Sequence, residues 1–286
     1  MEQPEHSERL EDGTSMSGTG AGADAGAESV QTAAGGGSPG GRPIRSVSPP
    51  LRPMPGSGMD GRLVLGQGSG LDALDPFIAL MNDDVPPSVR FPMHQHRGVE
   101  IVTYGLGGAL YHEDSLGNSG TVVDGGVERN LFGRGYSHSE APVGDAPYRG
   151  LQLFIVLSPA ERQLEPTFQL LAPEEVPEAR TDGARVRVVA GEFGGRRSPL
   201  TLRNPTLYLD VRLDPGASLD VPVPADFVGL AYVLSGSGRF GAPPVTAGQY
   251  QRLELGPGGA LPVRAEAGTA LRFVLISGRP IYRGNG

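Results

Sequence analysis

The chain has 286 residues and contains no cysteine, no tryptophan and no lysine, so its 24 Lys+Arg residues are all arginine, set against 32 acidic residues and a net charge of −8. These absences exclude a disulfide framework, thiolate catalysis, cysteine-ligated zinc or iron–sulfur centres, Schiff-base chemistry and a lysine-based phosphate loop. The acidic balance argues against nucleic acid or an anionic membrane surface as a partner, because both need a net basic face.

Residues 1–58 are rich in Gly, Ser, Ala and Pro and nearly devoid of large apolar groups. Such a segment cannot offset its ordering entropy by burial, so it is expected to be a disordered tail, with Met54 and Met59 as alternative starts. It has no basic stretch followed by an apolar one, as a signal peptide would, and no run of about 18 apolar residues follows, so a soluble cytoplasmic protein is expected.

From about residue 60 the chain changes to short apolar or alternating runs separated by Gly, Pro, Asn and Asp. Residues 61–65, 99–104, 120–123, 151–157 and 184–190 read as strands, with single helical turns near Pro159 and Pro173. After Asn204 the plan repeats over 206–213, 229–238 and 270–278. The runs that begin at Val102 and Leu230 look like counterparts. The expectation is therefore all-β: two tandem β-barrels, 59–190 and 191–286, arising by internal duplication.

Any catalysis must come from carboxylates, hydroxyls, arginine and five histidines: His6, His94, His96, His112 and His138. His94 and His96 stand at i and i+2, which in a strand puts both imidazoles on one face. His138 and Glu140 repeat that spacing. Two such pairs on adjacent strands would bring three imidazoles and a carboxylate to one point, a donor set suited to a first-row transition metal, iron above all. Glu100 keeps the parity of His94 and His96 if the strand is regular, so Glu100 and Glu140 both qualify as the carboxylate. His112 lies in a turn-rich hairpin, as a group that orients a ligand or as a plain turn residue. The second barrel, with no histidine and no dense acidic cluster, is expected to be metal-free.

The residues His94-x-His96-x3-Glu100-x6-Gly107 resemble the first cupin motif, and Gly135-x2-His138 resembles the core of the second. The stretches beginning at His94, His112, Gly133 and Pro205 are more specifically similar to the pirin branch of the cupins. That resemblance implies a bicupin holding one divalent metal in its N-terminal barrel, most often Fe(II), with Mn, Ni, Co, Cu or Zn as substitutes. It assigns the ion to His94, His96, His138 and Glu140, choosing Glu140 over Glu100, and leaves Glu100 and His112 as supporting residues.

Two departures from the pirin pattern stand out. Gln95 replaces the usual Pro, and Glu128-Arg-Asn-Leu-Phe replaces a Gln-Trp-Met-Thr-Ala stretch near the metal mouth, so Arg129 and Phe132 are expected to border the substrate. The chain also stops at Asn285-Gly286, short of the extension usual in pirins, which implies a truncated C-terminal barrel. Pirins are similar to quercetin 2,3-dioxygenases. The resemblance thus implies dioxygen and a flavonol or related enol as substrates, with Glu140 as catalytic base. The alternatives are an iron-binding regulator of a partner enzyme or transcription factor, or an oxygenase or cyclase of specialised metabolism.

Overall fold

The computed structural model describes residues 41–54 and 59–282. Most of them are in antiparallel strands, and among the described residues the helical content is one 3₁₀ turn, Pro173–Glu175. Residues 159–163, the other expected helical turn, form a hydrogen-bonded turn. No helix among the described residues is long and apolar enough to cross a membrane.

Two sheets build each barrel. In the first, a six-stranded sheet runs in the order Thr167–Leu171, Val127–Leu131, Val99–Gly107, Tyr148–Val156, Phe77–Val85, Arg62–Leu65. It is closed by a four-stranded sheet in the order Phe91–His96, Tyr136–Pro142, Ala109–Asp114, Ser119–Val123. In the second barrel a seven-stranded sheet runs Ile44–Val47, Arg252–Leu255, Val228–Ser235, Leu271–Gly278, Thr206–Leu213, Ala184–Ala190, Glu178–Thr181, and its four-stranded partner carries Ser218–Val221, Leu261–Ala265, Ser237–Phe240 and Val245–Gly248. The expected counterparts at Val102 and Leu230 occupy the same place in their sheets.

The two large sheets pack face to face. Val102, Tyr104, Leu151, Leu153 and Ile155 of the first meet Tyr208, Leu230, Tyr232, Val274 and Ile276 of the second in one buried cluster. Alternation then sends the opposite side chains of each sheet into its own barrel. The second barrel is filled by apolar side chains such as Leu209, Val211, Phe240, Leu253, Phe273 and Leu275. The first holds only two small apolar groups, around Tyr148 and around Phe132. Its interior is left to polar residues. A buried hydrogen bond ties the barrels together: Tyr104 Oη of the first donates at 2.8 Å to Asp210, from the stretch beginning at Pro205, which within the second barrel also accepts from Arg272 Nε and Nη2 at 3.0 and 2.8 Å.

Two expectations need correction. Of the segment 1–58, residues 1–40 and 55–58 lie outside the described residues, but 41–54 is ordered. Ile44–Val47 pairs with Arg252–Leu255, in the place that Thr167–Leu171 takes in the first barrel. Arg42, fully buried, anchors it: the guanidinium donates to the carbonyls of Gly256 (2.8 Å), Pro224 (2.9 Å), Phe227 (3.2 Å), Gly259 (3.2 Å), Val223 (3.4 Å) and Gly258. Composition hid this strand because its stabilisation comes from a distant edge and not from its own apolar content. Sheet membership also moves the change of barrel earlier than residue 190, since Glu178–Thr181 and Ala184–Ala190 belong to the seven-stranded sheet.

Candidate metal centre

The strand Phe91–His96 pairs with Tyr136–Pro142, with Phe91 opposite Glu140 but His94 opposite His138. One extra residue therefore sits in the edge strand at Pro92-Met93, a β-bulge that Pro92 suits because it has no N–H to donate. Met93 is pushed outward, 51% exposed. His94 comes directly opposite His138, on the same face. On the other flank Ala109–Asp114 pairs with Tyr136–Pro142, setting His112 opposite Glu140 and Asp114 opposite His138. All these side chains face the barrel interior.

The rings of His94, His96 and His138 lie with centroids 4.4 to 5.2 Å apart. One ligand nitrogen from each falls within 4.8 Å of the others, and a second such group joins His112, His138 and Glu140, so His138 is common to both. His94 Nδ1 lies 2.8 Å from the Pro92 carbonyl, which takes its proton and leaves Nε2 free to bind a metal. His138 Nε2 is buried and has no hydrogen-bond partner among the described residues. Buried nitrogens are normally paired, so one without a partner beside two further imidazoles fits a metal ligand. The residues present thus fit a first-row divalent ion held by His94, His96 and His138, with Glu140 next to the shared histidine.

Electrostatics agree with that reading. Burial and the neighbouring imidazoles of His94, His112 and His96 push His138 down to about 3, so it stays neutral, the form that binds metal. Burial and His94 likewise lower His96. Glu140, buried and close to Glu128, is pushed up to about 8, against which Gln152 Nε2 donates to both its oxygens at 3.2 Å. Burial opposes a charge on His112, but the hydrogen bond and charge of Glu128, with Glu140 and Asp114, win and raise it. Asp83, also buried, is raised to about 7.

Without metal, Glu140 and Asp83 therefore keep protons that the unfolded chain loses near its ordinary carboxyl values. At these two groups the native state binds more protons, from about pH 4 up to about 7 for Asp83 and about 8 for Glu140, so each lowers stability as pH rises by up to about 1.4 kcal/mol per unit, opposed in part below about pH 6.5 by His138 and His96, whose lowered values act with the reverse sign. Thermal melts of chelator-treated protein should show a lower Tm at pH 8 than at pH 5, with the slope reduced in Glu140→Gln. An equal slope in that variant would contradict the raised carboxyl.

The remaining predicted residues separate. Glu100 does not join the histidines: the strand breaks at Arg97-Gly98, with Gly98 at φ +69, and a new strand starts at Val99 in the other sheet. Parity is lost there. Glu100 faces away from the barrel interior, bound to Arg129 Nε and Nη2 at 2.6 and 2.5 Å and to the Arg203 N–H at 3.0 Å. Arg129, expected at the mouth, is buried with it and also donates to Thr167 Oγ1 at 2.6 Å. Its neighbours Glu128 and Asn130 are the ones that face inward.

Phe132 does border the centre, its ring 4.9 Å from His96 and 5.1 Å from His138, but it is fully buried. His112 is not a turn residue. It lies in the strand, fully buried, and the turn itself is closed by Asp114, whose Oδ1 accepts from the N–H groups of Leu116 and Asn118 at 2.8 and 2.9 Å. Sequence reasoning missed Glu128, Asn130, Tyr136 and Gln152. The signal available was two polar residues, Glu128 and Asn130, at i and i+2 beside apolar Val127 and Leu131.

The family described as Pirin matches residues 62–155, and the Pirin C-terminal cupin domain matches 208–284. A pirin-like protein of Solanum lycopersicum is 42% identical over 212 residues, 74% of this chain and 73% of that protein. Pirin of Homo sapiens is 38% identical over 216 residues, 74% of each.

Among solved structures, one from Geobacillus kaustophilus superposes with TM-score 0.77 at 30% identity, covering 85% of this chain and 98% of that one. A quercetin 2,3-dioxygenase of Acinetobacter baumannii shares the fold with TM-score 0.74 at 22% identity, covering 86% and 90%. The bacterial pirin YhhW of Escherichia coli, in complex with nickel(II), shares it with TM-score 0.64 at 19% identity, covering 82% and 99%. With both barrels matched and relatives this similar over three quarters of its length, the chain belongs to the pirin family of bicupins.

Proposed function

We propose that this pirin is a metal-dependent dioxygenase that opens a flavonol or related enol, consuming dioxygen and releasing carbon monoxide. The observation that carries the reading is geometric: the buried Glu140 carboxyl stands beside His138, which converges with His94 and His96 within reach of one ion. The chemistry that Fe(II), or another first-row divalent ion, supplies in such a site is polarisation of an enol oxygen and, for iron, access to dioxygen. His94, His96 and His138 hold the ion. Glu140, as the carboxylate, takes the enol proton at one oxygen, and burial, which favours the protonated carboxyl, favours that transfer. Gln152 fixes both oxygens of Glu140, while the rings of Phe132 and Phe154, 4.9 and 5.9 Å from His96, keep water from that side. The solved quercetin 2,3-dioxygenase and the nickel-bound pirin of the same fold support the substrate class and the metal.

Oxygen uptake by iron- or nickel-loaded protein with quercetin tests this. Uptake above that of the free metal is expected, falling about 10²- to 10⁴-fold in Glu140→Gln. No uptake by the loaded parent protein overturns it.

One observation favours a second reading, a metal-binding protein that docks a partner protein. The strands that carry the ligands have an outer face with exposed Met93 and Tyr111, and a recess of about 350 Å³ lies there between Phe91, Met93, Tyr111, Ser139 and Ala141. Under this reading a protein co-purifies with the metal-loaded form and is released on chelation.

A further inference from the structure

We propose that His112 is a positioning residue for His138, held in a closed ring of side chains that sets the direction of that imidazole. The inference rests on the metal reading of His94, His96 and His138. The ring starts at His138, whose Nδ1 lies 3.4 Å from His112 Nδ1. His112 Nδ1 is 3.1 Å from Glu128 Oε1. The same Glu128 oxygen accepts from Asn130 Nδ2 at 2.6 Å, and Asn130 Oδ1 accepts from Tyr136 Oη at 2.5 Å. Tyr136 stacks on Phe132 with centroids 4.4 Å apart and planes at 20°, and the Phe132 ring returns to His138 edge-on at 5.1 Å. The one Nδ1 of His112 serves Glu128, so its 3.4 Å approach to His138 Nδ1 is a packing contact; His138 is bounded by that contact at its Nδ1 edge and by Phe132 on its side, while among the described residues its Nε2 has no hydrogen-bond partner.

Two features set this ring apart from ordinary packing. His112 is flanked on its remaining sides as well: Phe168 stacks on it at 5.0 Å, and its Nε2, which makes no hydrogen bond among the described residues, lies 3.7 Å from Asp114 Oδ2. The duplicated barrel also supplies an internal comparison. The strand Arg252–Leu255, which sits where Val127–Leu131 sits, points Leu253 and Leu255 into an apolar core. Two leucines fill that position in the second barrel, yet the first buries a carboxylate and an amide there, at about 1% exposure each. Burying such groups costs free energy unless they are paired, and all their pairs lead to His112 or Tyr136. A half-turn of His138 about its Cβ–Cγ bond would exchange Nδ1 with Cδ2 and carry Nε2 to the place of Cε1, away from the other two imidazoles. The ring of contacts prevents that.

The test is nickel(II) affinity of the full chain by chelator competition, with the ligand-field spectrum of the bound ion as a second readout. His112→Ala and Glu128→Leu should each weaken binding about 10- to 100-fold, the range for residues that orient a metal ligand, and shift the spectrum. Because both act through one path, the double variant should be no weaker than the worse single one. Glu128→Gln keeps an acceptor for Asn130 and should restore the parent spectrum. Tyr136→Phe removes only one hydroxyl and should lose about fivefold, so it reports on the ring even where a harsher variant does not fold. Unchanged affinity in folded variants, or losses that multiply in the double variant, would overturn the proposal. A parent protein that retains no nickel overturns the metal reading, and the proposal with it. A parent that binds nickel alongside variants that bind it equally overturns this proposal alone.

Discussion

His138→Ala is expected to abolish metal retention: a chain purified with metal and passed through a desalting column should keep its ion as the parent and lose it as the variant. The expected loss of affinity exceeds about 100-fold, more than for a residue that only orients a ligand. The reason is geometric. His138 is the one residue shared by the two groups of candidate ligands, and it lies directly opposite His94 across the strand pair. Its removal leaves His94 and His96 on an edge strand, half exposed, with no third imidazole. The fold should survive, because the alanine leaves a small gap in a polar interior, and the imidazole it removes is one that burial holds neutral at every physiological pH. Metal content by elemental analysis and an unchanged far-ultraviolet spectrum decide the matter. Full metal content in the variant would mean that the ion sits elsewhere.

The second large effect is expected at Arg42, on stability instead of metal. Arg42→Met keeps the length of the side chain but strips the donors from a cluster of main-chain carbonyls that close one end of the second barrel. Burial, with the nearby charge of Arg45, already lowers the pKa of this guanidinium, and among the described residues no carboxylate pairs with it, so the carbonyl dipoles are what offset its charge. A buried carbonyl deprived of its donor costs about 1–3 kcal/mol, and several lose theirs together. A loss of about 3 to 5 kcal/mol is expected, read as a fall in the urea midpoint. A chain started at Met59 loses both the guanidinium and the strand Ile44–Val47, and should be less stable still. A midpoint unchanged in Arg42→Met would show that the segment only lies against the barrel.

Much of this was legible in the sequence because it depends on near neighbours. Period-2 alternation gives the strands, and the i, i+2 spacing of His94 with His96 and of His138 with Glu140 gives the converging face. The same rule failed at Glu100 because one residue pair, Arg97-Gly98, moves the chain from one sheet to the other and resets the count. The resemblance misplaced Arg129, in a strand buried on both faces that carries polar residues on each, where only the partners tell the sides apart. Glu128 could not be read at all. Its meaning depends on His112 from another sheet, and no local pattern records that pairing. The strand at Ile44 was hidden for a similar reason, having its partner at the far end of the chain.

That distant pairing also bears on how the molecule is made. Ser48 Oγ accepts from the N–H of Arg252, 204 positions later, and Ile44 lies against Leu255. A strand that leaves the ribosome early must wait, unpaired, until nearly the whole chain has followed, and non-local pairing of this kind is slow because loop closure is costly. The first barrel has all its strands between Arg62 and Leu171 and can close while synthesis continues. Its polar interior is therefore formed before the strand that completes the other barrel has found its edge. Until then Arg252–Leu255 presents an open row of main-chain donors and acceptors, the period in which a nascent chain is most exposed to association with its copies.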